Sequence, residues 1–513
     1  MHPQTGIKDR ADRQRLFVTG VLAAFTMITG MLILREFTAT ESLIEIVGEG
    51  VVQVVPMGLF SAMLSAFGGA AKQLVVVSII LGMLFVGGGI AQVDGGPARG
   101  LSMPRTIRRI LGLSASIWVP LAIAAVILTT YGTVTPASNS ELLSLVATLF
   151  FDALIFAVAL YAFYPPVAGI QPSTRVDSPP ADSSRRRLVA VGVISAATLA
   201  SVGVTGRFIR GIRGGVIGGA RGGLVQPVTS TEQFYVISKN FVDPTVDDGG
   251  WRLEISGLVE RAQSFTYLDL QNMPHRDQLT TLSCISNEIG GDLISNAKWT
   301  GVPLGELLAR AGVDPGAGEL ALYADDGYSE SIPLSKALEA DTMLAYLMND
   351  EPLTRKHGFP TRLIVPGVYG IKNVKWITKI ELSSGDFKGY WQQRGWTDDG
   401  TIQTLSRFDL PSSRAIVPQG AIELGGVAFA GNRGVRSVEI SVNDGAWMPV
   451  DTVEQVAPLS WVIWRSTWNP AEPGTYALRV RAIDENGDIQ TDARRNPIPD
   501  GATGYHAIDI GIT

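Results

Sequence analysis

The sequence of 513 residues holds a single cysteine, Cys284. A disulfide within the chain is therefore excluded, and so is an iron–sulfur cluster, which needs several thiolates. Histidine is almost as scarce. His2, His275, His357 and His506 are the only four, and none lies in a long apolar run. A haem held between membrane helices needs axial histidines, so no haem is expected there. Charged residues make up only 18% of the chain and the net charge is −6. With no basic excess, nucleic acid is a poor partner.

What the sequence does have is a long apolar first part, which raises the mean hydropathy to +0.21. A helix crosses a bilayer with roughly 20 apolar residues. Five segments qualify: Leu16–Leu34, Leu74–Val93, Ile110–Tyr131, Leu142–Tyr164 and Leu188–Thr205. The stretch 41–67 carries Glu41, Glu45 and Glu49 and then Pro56, which suits an amphipathic helix on the membrane surface better than a span. Basic residues cluster before residue 16, in 94–109 (Arg99, Arg105, Arg108, Arg109) and in 165–187 (Arg175, Arg185, Arg186, Arg187), whereas 132–140 holds none. Five spans put all three basic segments inside, and 206–513 outside. Within the fourth span, Asp152 is an acid at a costly depth, either functional or protonated and bonded inside the bundle.

The segment 165–187 is rich in Pro and Ser and reads as a linker. Ser184-Arg185-Arg186-Arg187-Leu188 then leads into small apolar residues. This resembles a twin-arginine export signal inside the chain, and equally a plain basic anchor. After a Gly- and Arg-rich tether, 207–223, the pattern becomes mixed, with a short strand at Trp251–Ile255 and a short helix at Pro303–Ala311. From about 415 the texture changes to period-2 alternation (Val438, Ile440, Val442; Tyr476, Leu478, Val480) punctuated by Asn443-Asp444-Gly445 and Asn486-Gly487. That pattern means β-hairpins and suggests a small immunoglobulin-like β-sandwich.

Three segments carry the chemistry. The first runs from Phe234-Tyr235 to Trp251-Arg252-Leu253-Glu254-Ile255-Ser256-Gly257. The second is Leu282-Ser283-Cys284-Ile285-Ser286-Asn287-Glu288, followed by Trp299-Thr300-Gly301-Val302-Pro303-Leu304. The third is His357-Gly358-Phe359-Pro360-Thr361-Arg362-Leu363-Ile364-Val365-Pro366-Gly367, running on to Asn373-Val374-Lys375-Trp376. In this order and spacing the chain resembles the sulfite oxidase family of molybdenum enzymes over about 230–410. The last domain resembles that family's dimerisation domain.

The resemblance implies a molybdenum–molybdopterin cofactor with Cys284 as the catalytic, metal-ligating thiolate, a soft donor suited to a metal that shuttles two electrons. It implies cofactor contacts at Tyr235, His357, Arg362, Asn373 and Lys375. Arginine is the better fork for a phosphate, and the turn 370–375 offers backbone N–H groups beside the Lys375 ammonium. Two positions depart from sulfite-handling members. Glu288 follows the cysteine where they carry arginine. Trp396, in Tyr390-Trp391-Gln392-Gln393-Arg394-Gly395-Trp396, stands where they carry a tyrosine, leaving Arg394 as an anion contact. A dianion near Glu288 would be repelled, which argues against sulfite as substrate. The turn Asp325-Asp326-Gly327-Tyr328, with Glu330 behind it, could line the pocket, though an exposed acidic turn is the plainer reading.

The expected architecture has three parts. An α-helical transmembrane region at 1–164, with 41–67 interfacial, leads through the linker 165–187 to a last transmembrane helix at 188–205. An α+β molybdopterin-binding domain of sulfite oxidase type follows at 225–410, then an immunoglobulin-like β-sandwich at 411–513. The expected function is a multi-pass, membrane-anchored oxidoreductase transferring an oxygen atom to or from a small molecule on the extracytoplasmic side. It would use an electron partner in or at the membrane, and a homodimer would form through the last domain. A non-catalytic sensor module, a true sulfite oxidase and a transporter with a large outer domain are the competing readings. The retained thiol weighs against the sensor, and the few ionisable residues in the spans weigh against the transporter.

Overall fold

The computed structural model describes residues 4–38, 42–55, 59, 63, 71–94, 103–130, 139–168, 223–240 and 243–513. They fall into two compact units that divide near residue 213.

The first unit is helical. Its main helices are α1 (Gln4–Thr38), α2 (Leu43–Val54), α3 (Ala71–Asp94), α4 (Met103–Thr130) and α5 (Asn139–Ala168). Four segments are long and apolar enough to cross a membrane: Asp12–Arg35, Gln73–Asp94, Pro104–Ala124 and Leu143–Phe163. They correspond to four of the five expected spans. The fifth, Leu188–Thr205, lies outside the described residues, as do the Arg185–Arg187 motif and the tether as far as 222. Gln92 Nε2 donates to the Arg13 carbonyl (3.1 Å), and the Tyr161 hydroxyl donates to Asp94 Oδ2 (3.4 Å). The start of α1 therefore meets the ends of α3 and α5, so α1 and α3 run antiparallel. The chain between them leaves and returns on one side of the bundle.

That intervening segment is less polar than its glutamates suggest. Ser42 and Glu45 form a capping box at the start of α2, with Glu45 Oε2 accepting from the Ser42 N–H at 2.7 Å. Glu45 is buried and pairs with Arg35 at 2.8 Å. Ile44 packs with Val76 and Ile80 of α3. The spaced acids thus do not make one water-facing stripe, because Glu45 serves the cap and an ion pair. Asp152 is buried in α5, and among the described residues neither of its carboxylate oxygens has a hydrogen-bond partner.

The second unit begins with two sheets. One has the order Gln263–Thr266, Arg252–Gly257, Ile377–Ser383, Glu319–Ala324, Ser329–Pro333, with the second and third strands parallel. The other places Arg276–Ser283 beside Ile294–Pro303 and Met343–Met348, and the short strand Arg362–Ile364 pairs with Met343–Met348. The helix Leu304–Ala311 buries Leu304, Leu307, Leu308 and Ala311 against the main core, an apolar face at helical spacing. A second cluster, with Phe234, Leu282, Trp299, Met343 and Ile364, lies under the end of the strand that leads to Cys284.

Residues beyond 405 form a β-rich domain of two sheets. One has the order Leu405–Leu410, Ile422–Phe429, Val462–Trp468, Thr452–Gln455, and the other Ile416–Val417, His506–Ile512, Gly474–Asp484, Val435–Val442, Met448–Pro449. Both sheets contribute to one core, among them Leu424 and Trp464 from the first, and Ile440, Val480 and Ile510 from the second. The hairpin after Val442 turns through Asn443 and Asp444, both at positive φ (49° and 59°), as Asn-Asp-Gly foretells.

The β-rich domain is sewn to the loop-bearing strand beside it. Thr281 N–H donates to the Leu459 carbonyl (3.0 Å), Trp461 N–H donates to Thr281 Oγ1 (2.8 Å), and the Trp461 indole donates to the Pro227 carbonyl (3.2 Å). Trp461 is fully buried. Trp461→Ala should lower the unfolding free energy of the full chain by about 3–5 kcal/mol, read by chemical denaturation. A loss below about 1 kcal/mol would show that the seam does not depend on this side chain.

Candidate active site

Cys284 is the first residue after the strand Arg276–Ser283. The loop it opens closes on itself: Cys284 N–H donates to the Leu293 carbonyl (2.9 Å), and Leu293 N–H donates to Asn287 Oδ1 (2.9 Å). The thiol is buried and lies 2.9 Å from Ser286 Oγ. Burial pushes its pKa up, with the Ser286 hydroxyl opposing. It faces a cavity of about 120 Å³.

One set of wall residues comes from the segment 357–376. His357 donates from Nε2 to the Thr231 carbonyl (2.9 Å), which fixes the neutral tautomer, and burial depresses its pKa to about 4. Arg362 is buried and spends its Nη atoms on two carbonyls, His357 O at 3.3 Å and Asn373 O at 3.2 Å. Its guanidinium lies 5.1 Å from the Trp299 ring centroid, Nε has no partner among the described residues, and burial lowers its pKa to about 10. Lys375 lies over the Trp376 ring at 4.2 Å, and loss of water pushes its pKa down to about 8, with Asp243 opposing. Tyr235 stacks on Phe234, and its phenol is pushed up by burial and then by Cys284.

Asn373 lines the cavity too, but its amide is engaged by the loop. Oδ1 accepts from Val365 N–H (2.7 Å) and Nδ2 donates to the Tyr369 carbonyl (3.2 Å). It therefore orders the segment that presents Arg362 and Lys375. Gly370 is the close point of that segment, since a Cβ there would stand 2.8 Å from the Tyr235 hydroxyl.

A second set of wall residues is aromatic: Tyr328, Trp391 and Trp396. Trp391 and Trp396 stack at 4.2 Å, and the buried Trp396 indole nitrogen has no hydrogen-bond partner. Ser286 and Trp391 were not singled out from the sequence, whereas the turn ending at Tyr328 was a pocket candidate. Tyr328 lines the cavity and Glu330 is wholly buried, so the acidic turn is not simply exposed. The signal was the alternation Tyr328, Glu330, Ile332 along the strand Ser329–Pro333, which puts the glutamate on the face of a core isoleucine.

Two expected pocket residues fall elsewhere. Glu288 is exposed and lines a separate, shallow depression with Ser406 and Arg407. The loop turns after Asn287, whose side chain ties back to Leu293, and carries Glu288 outward. Arg394 is not on the cavity wall. Its guanidinium lies 3.7 Å from the Tyr390 ring centroid, and it donates to the Tyr390 carbonyl at 2.5 Å.

The residues present fit a molybdopterin. A buried guanidinium with no carboxylate beside it suits the cofactor's phosphate, the tight approach at Gly370 keeps that wall open for a flat ring, and a solitary thiol faces the same space.

Residues 240–391 match the family described as "Oxidoreductase molybdopterin binding domain". The chain is similar to mitochondrial sulfite oxidase of Mus musculus, 31% identical over 299 residues, covering 48% of this chain and 55% of that protein. It is also similar to the uncharacterized oxidoreductase YuiH of Bacillus subtilis, 31% identical over 178 residues, covering 35% of this chain and 88% of that protein. Among solved structures it resembles the sulfane dehydrogenase SoxCD of Paracoccus pantotrophus, with 25% identity and a TM-score of 0.50 over 55% of this chain and 81% of that one. The chain spans about half the length of the sulfite oxidases it matches. Fold and site together define a molybdopterin-dependent oxidoreductase. The chain belongs to the sulfite oxidase family.

Two outcomes follow from this geometry. Cys284→Ser should leave the fold intact by circular dichroism, abolish activity, and remove one sulfur neighbour from the molybdenum X-ray absorption spectrum. A fully active serine variant would sink the ligand assignment. His357 concerns stability. Its pKa is about 4 folded against an ordinary value of 6.5. Below the ordinary value the unfolded chain binds a proton that the folded chain refuses, so stability falls as pH drops from about 6.5 to about 4. His357→Gln should remove up to about 3 kcal/mol of that loss. Unfolding curves with the same pH slope in variant and parent would show that His357 is not the buried neutral group.

Proposed function

We propose that this chain is a membrane-anchored enzyme that moves one oxygen atom to or from a small substrate outside the cytoplasm. Its two electrons would pass to or from a one-electron carrier in or at the membrane. The observation that carries this reading is that Cys284 and the unneutralised Arg362 share one cavity, whose other wall is aromatic and open to a small molecule. The cofactor, held by Cys284 and by the set around Arg362, supplies the two-electron oxygen chemistry. The chain's own residues orient it, keep water from the thiol and present hydrogen-bond donors to the substrate. A non-catalytic sensor would have no use for a buried thiol at that place.

Several features support the membrane reading. Four helices have the required length and composition, and α1 and α3 run antiparallel. That arrangement leaves 41–67 on one side, puts the basic segments before residue 16 and at 94–109 together on the other, and favours an outer location for 206–513. The Arg185-Arg186 pair suits export of a domain already loaded with cofactor. The two-sheet domain sharing one core supports an immunoglobulin-like sandwich, and the family resemblance makes it the candidate surface for a homodimer.

Glu288 no longer bears on the substrate, because it lies outside the cavity. The support for a neutral or zwitterionic substrate, such as a sulfoxide or N-oxide, is the stacked Trp391–Trp396 wall. An aromatic wall brings no cation for a dianion. Sulfite itself is the second reading, favoured by the names of the matched relatives. Steady-state assays with an artificial electron carrier decide between them. We expect turnover of a sulfoxide or N-oxide, and a kcat/KM for sulfite lower by about a hundredfold, the value of a lost charge contact of a few kcal/mol. Efficient turnover of sulfite at micromolar concentration would contradict this choice of substrate.

A further inference from the structure

Behind the aromatic wall, a row of ionisable side chains leads from the cavity to the surface. Tyr328 lines the cavity, and its hydroxyl lies 3.1 Å from Glu330 Oε2 and 2.9 Å from the Ile371 carbonyl. The Glu330 side chain is 0% exposed and that of Lys372 only 2%, with Lys372 Nζ 3.1 Å from Glu330 Oε1. Lys372 Nζ also lies 3.8 Å from Asp398 Oδ1, and the Asp398 side chain is 45% exposed. Asp398 in turn bonds Lys388 at 2.6 Å, at the surface. Each group is thus within about 4 Å of the next, from the cavity to water.

Stability is a poor reason for such a row. A buried ion pair gains little over apolar side chains of similar volume, because desolvation offsets the attraction. The surrounding chain nonetheless closes tightly on it. A Cβ at Gly389 would stand 2.6 Å from Glu330 Cα, and one at Gly400 would stand 3.2 Å from Lys372 Cε. Gln392 Nε2 donates to the second Glu330 oxygen at 3.0 Å. Burial raises the pKa of Glu330, with Lys372 opposing, and burial together with Glu330 keeps the Tyr328 phenol protonated. The titratable groups facing this row are Asp326 and Cys284 near Tyr328, and Lys388 beyond Asp398.

Resting on the oxygen-transfer reading above, we propose that Tyr328, Glu330, Lys372 and Asp398 form the path by which protons pass between the cavity and solvent. Oxygenating a substrate with the oxygen of water yields the product, two electrons and two protons. The electrons leave on the one-electron carrier, and the protons need a route out of a buried cavity. A proton reaching the Tyr328 oxygen is matched by release of the phenol's own proton to the Glu330 carboxylate. Lys372 releases a proton to the Asp398 carboxylate and is refilled from Glu330. Asp398 gives its proton to water. At each step one O–H or N–H bond forms as another breaks, and the row returns to its starting charge. In the reducing direction the same transfers run inward.

The test uses the full, molybdenum-loaded chain in detergent, with metal content and melting temperature checked for each variant. Glu330→Gln keeps the shape and removes the relay, and Tyr328→Phe removes its cavity end. Each should lower kcat by about tenfold or more while leaving KM within about twofold, and should enlarge the solvent deuterium effect on kcat. Imidazole added to the buffer should restore part of the loss in Glu330→Gln. If that variant folds poorly, the double variant Glu330→Gln/Lys372→Met removes the unpaired buried cation and takes its place. A second readout needs no substrate: proton uptake from a pH-indicator dye when a reduced viologen reduces the enzyme, which should slow by a similar factor. Wild-type proton uptake with an unchanged isotope effect in Glu330→Gln would overturn the proposal, as would a loss seen only in KM and not relieved by imidazole. If the parent enzyme turns over no oxygen acceptor or donor offered, the oxygen-transfer reading fails, while the dye experiment still decides the path.

Discussion

A guanidinium buried without a counter-charge is the constraint around which the second unit is arranged. Arg362 meets two backbone carbonyls and an indole face, and among the described residues no carboxylate pairs with it. An isolated buried charge is expensive in a protein interior. The chain holds it there by making Arg362 part of a strand paired to Met343–Met348, and by ordering the following loop through the Asn373 amide. An anion in the cavity would offset the expense of burying Arg362. The solitary thiol of Cys284, whose pKa burial raises, would give up its proton on binding a metal there.

Holding two loops at one cavity falls partly to the β-rich domain. Arg407 donates to the Gly291 carbonyl at 2.5 Å, at the far side of the Cys284 loop. His506 packs against Gly290, and Asn432 against Gly367, so closely that neither glycine has room for a Cβ. Gly501 packs on the Tyr369 hydroxyl so closely that it too has no room for a Cβ. The domain that reads in sequence as a separate sandwich therefore also buttresses the Cys284 loop and the turn after Val365 from behind.

Much of this was legible before any coordinates. Four helices long and apolar enough to cross a membrane follow from length and apolarity alone, and the hairpins from Asn-Asp-Gly punctuation. The thiol and the His357–Lys375 segment stand out because rare residues recur at fixed spacing. What was hidden depended on which way a side chain points. Glu288 is four residues beyond Cys284, and only the Asn287–Leu293 bond reveals that the loop turns it outward. Arg394 looked like an anion contact, but stacking on Tyr390 takes it out of the cavity. Glu330 and Lys372 are 42 residues apart, so their pairing is a tertiary fact that local patterns do not carry. Glu45 pairs with the half-buried Arg35, a tertiary contact that acids at helical spacing do not announce.

The central claim is that Cys284 and Arg362 together hold a molybdenum cofactor. The most direct test is the molybdenum-to-protein ratio of the purified full chain, compared with that of Arg362→Met, a variant of similar length that carries no charge. The account predicts a ratio near unity for the parent and a severalfold lower one for the variant, with the melting temperature of the metal-free variant above that of the metal-free parent once the buried charge is gone. A parent chain free of molybdenum, or a variant that retains the metal as fully as the parent, would contradict it.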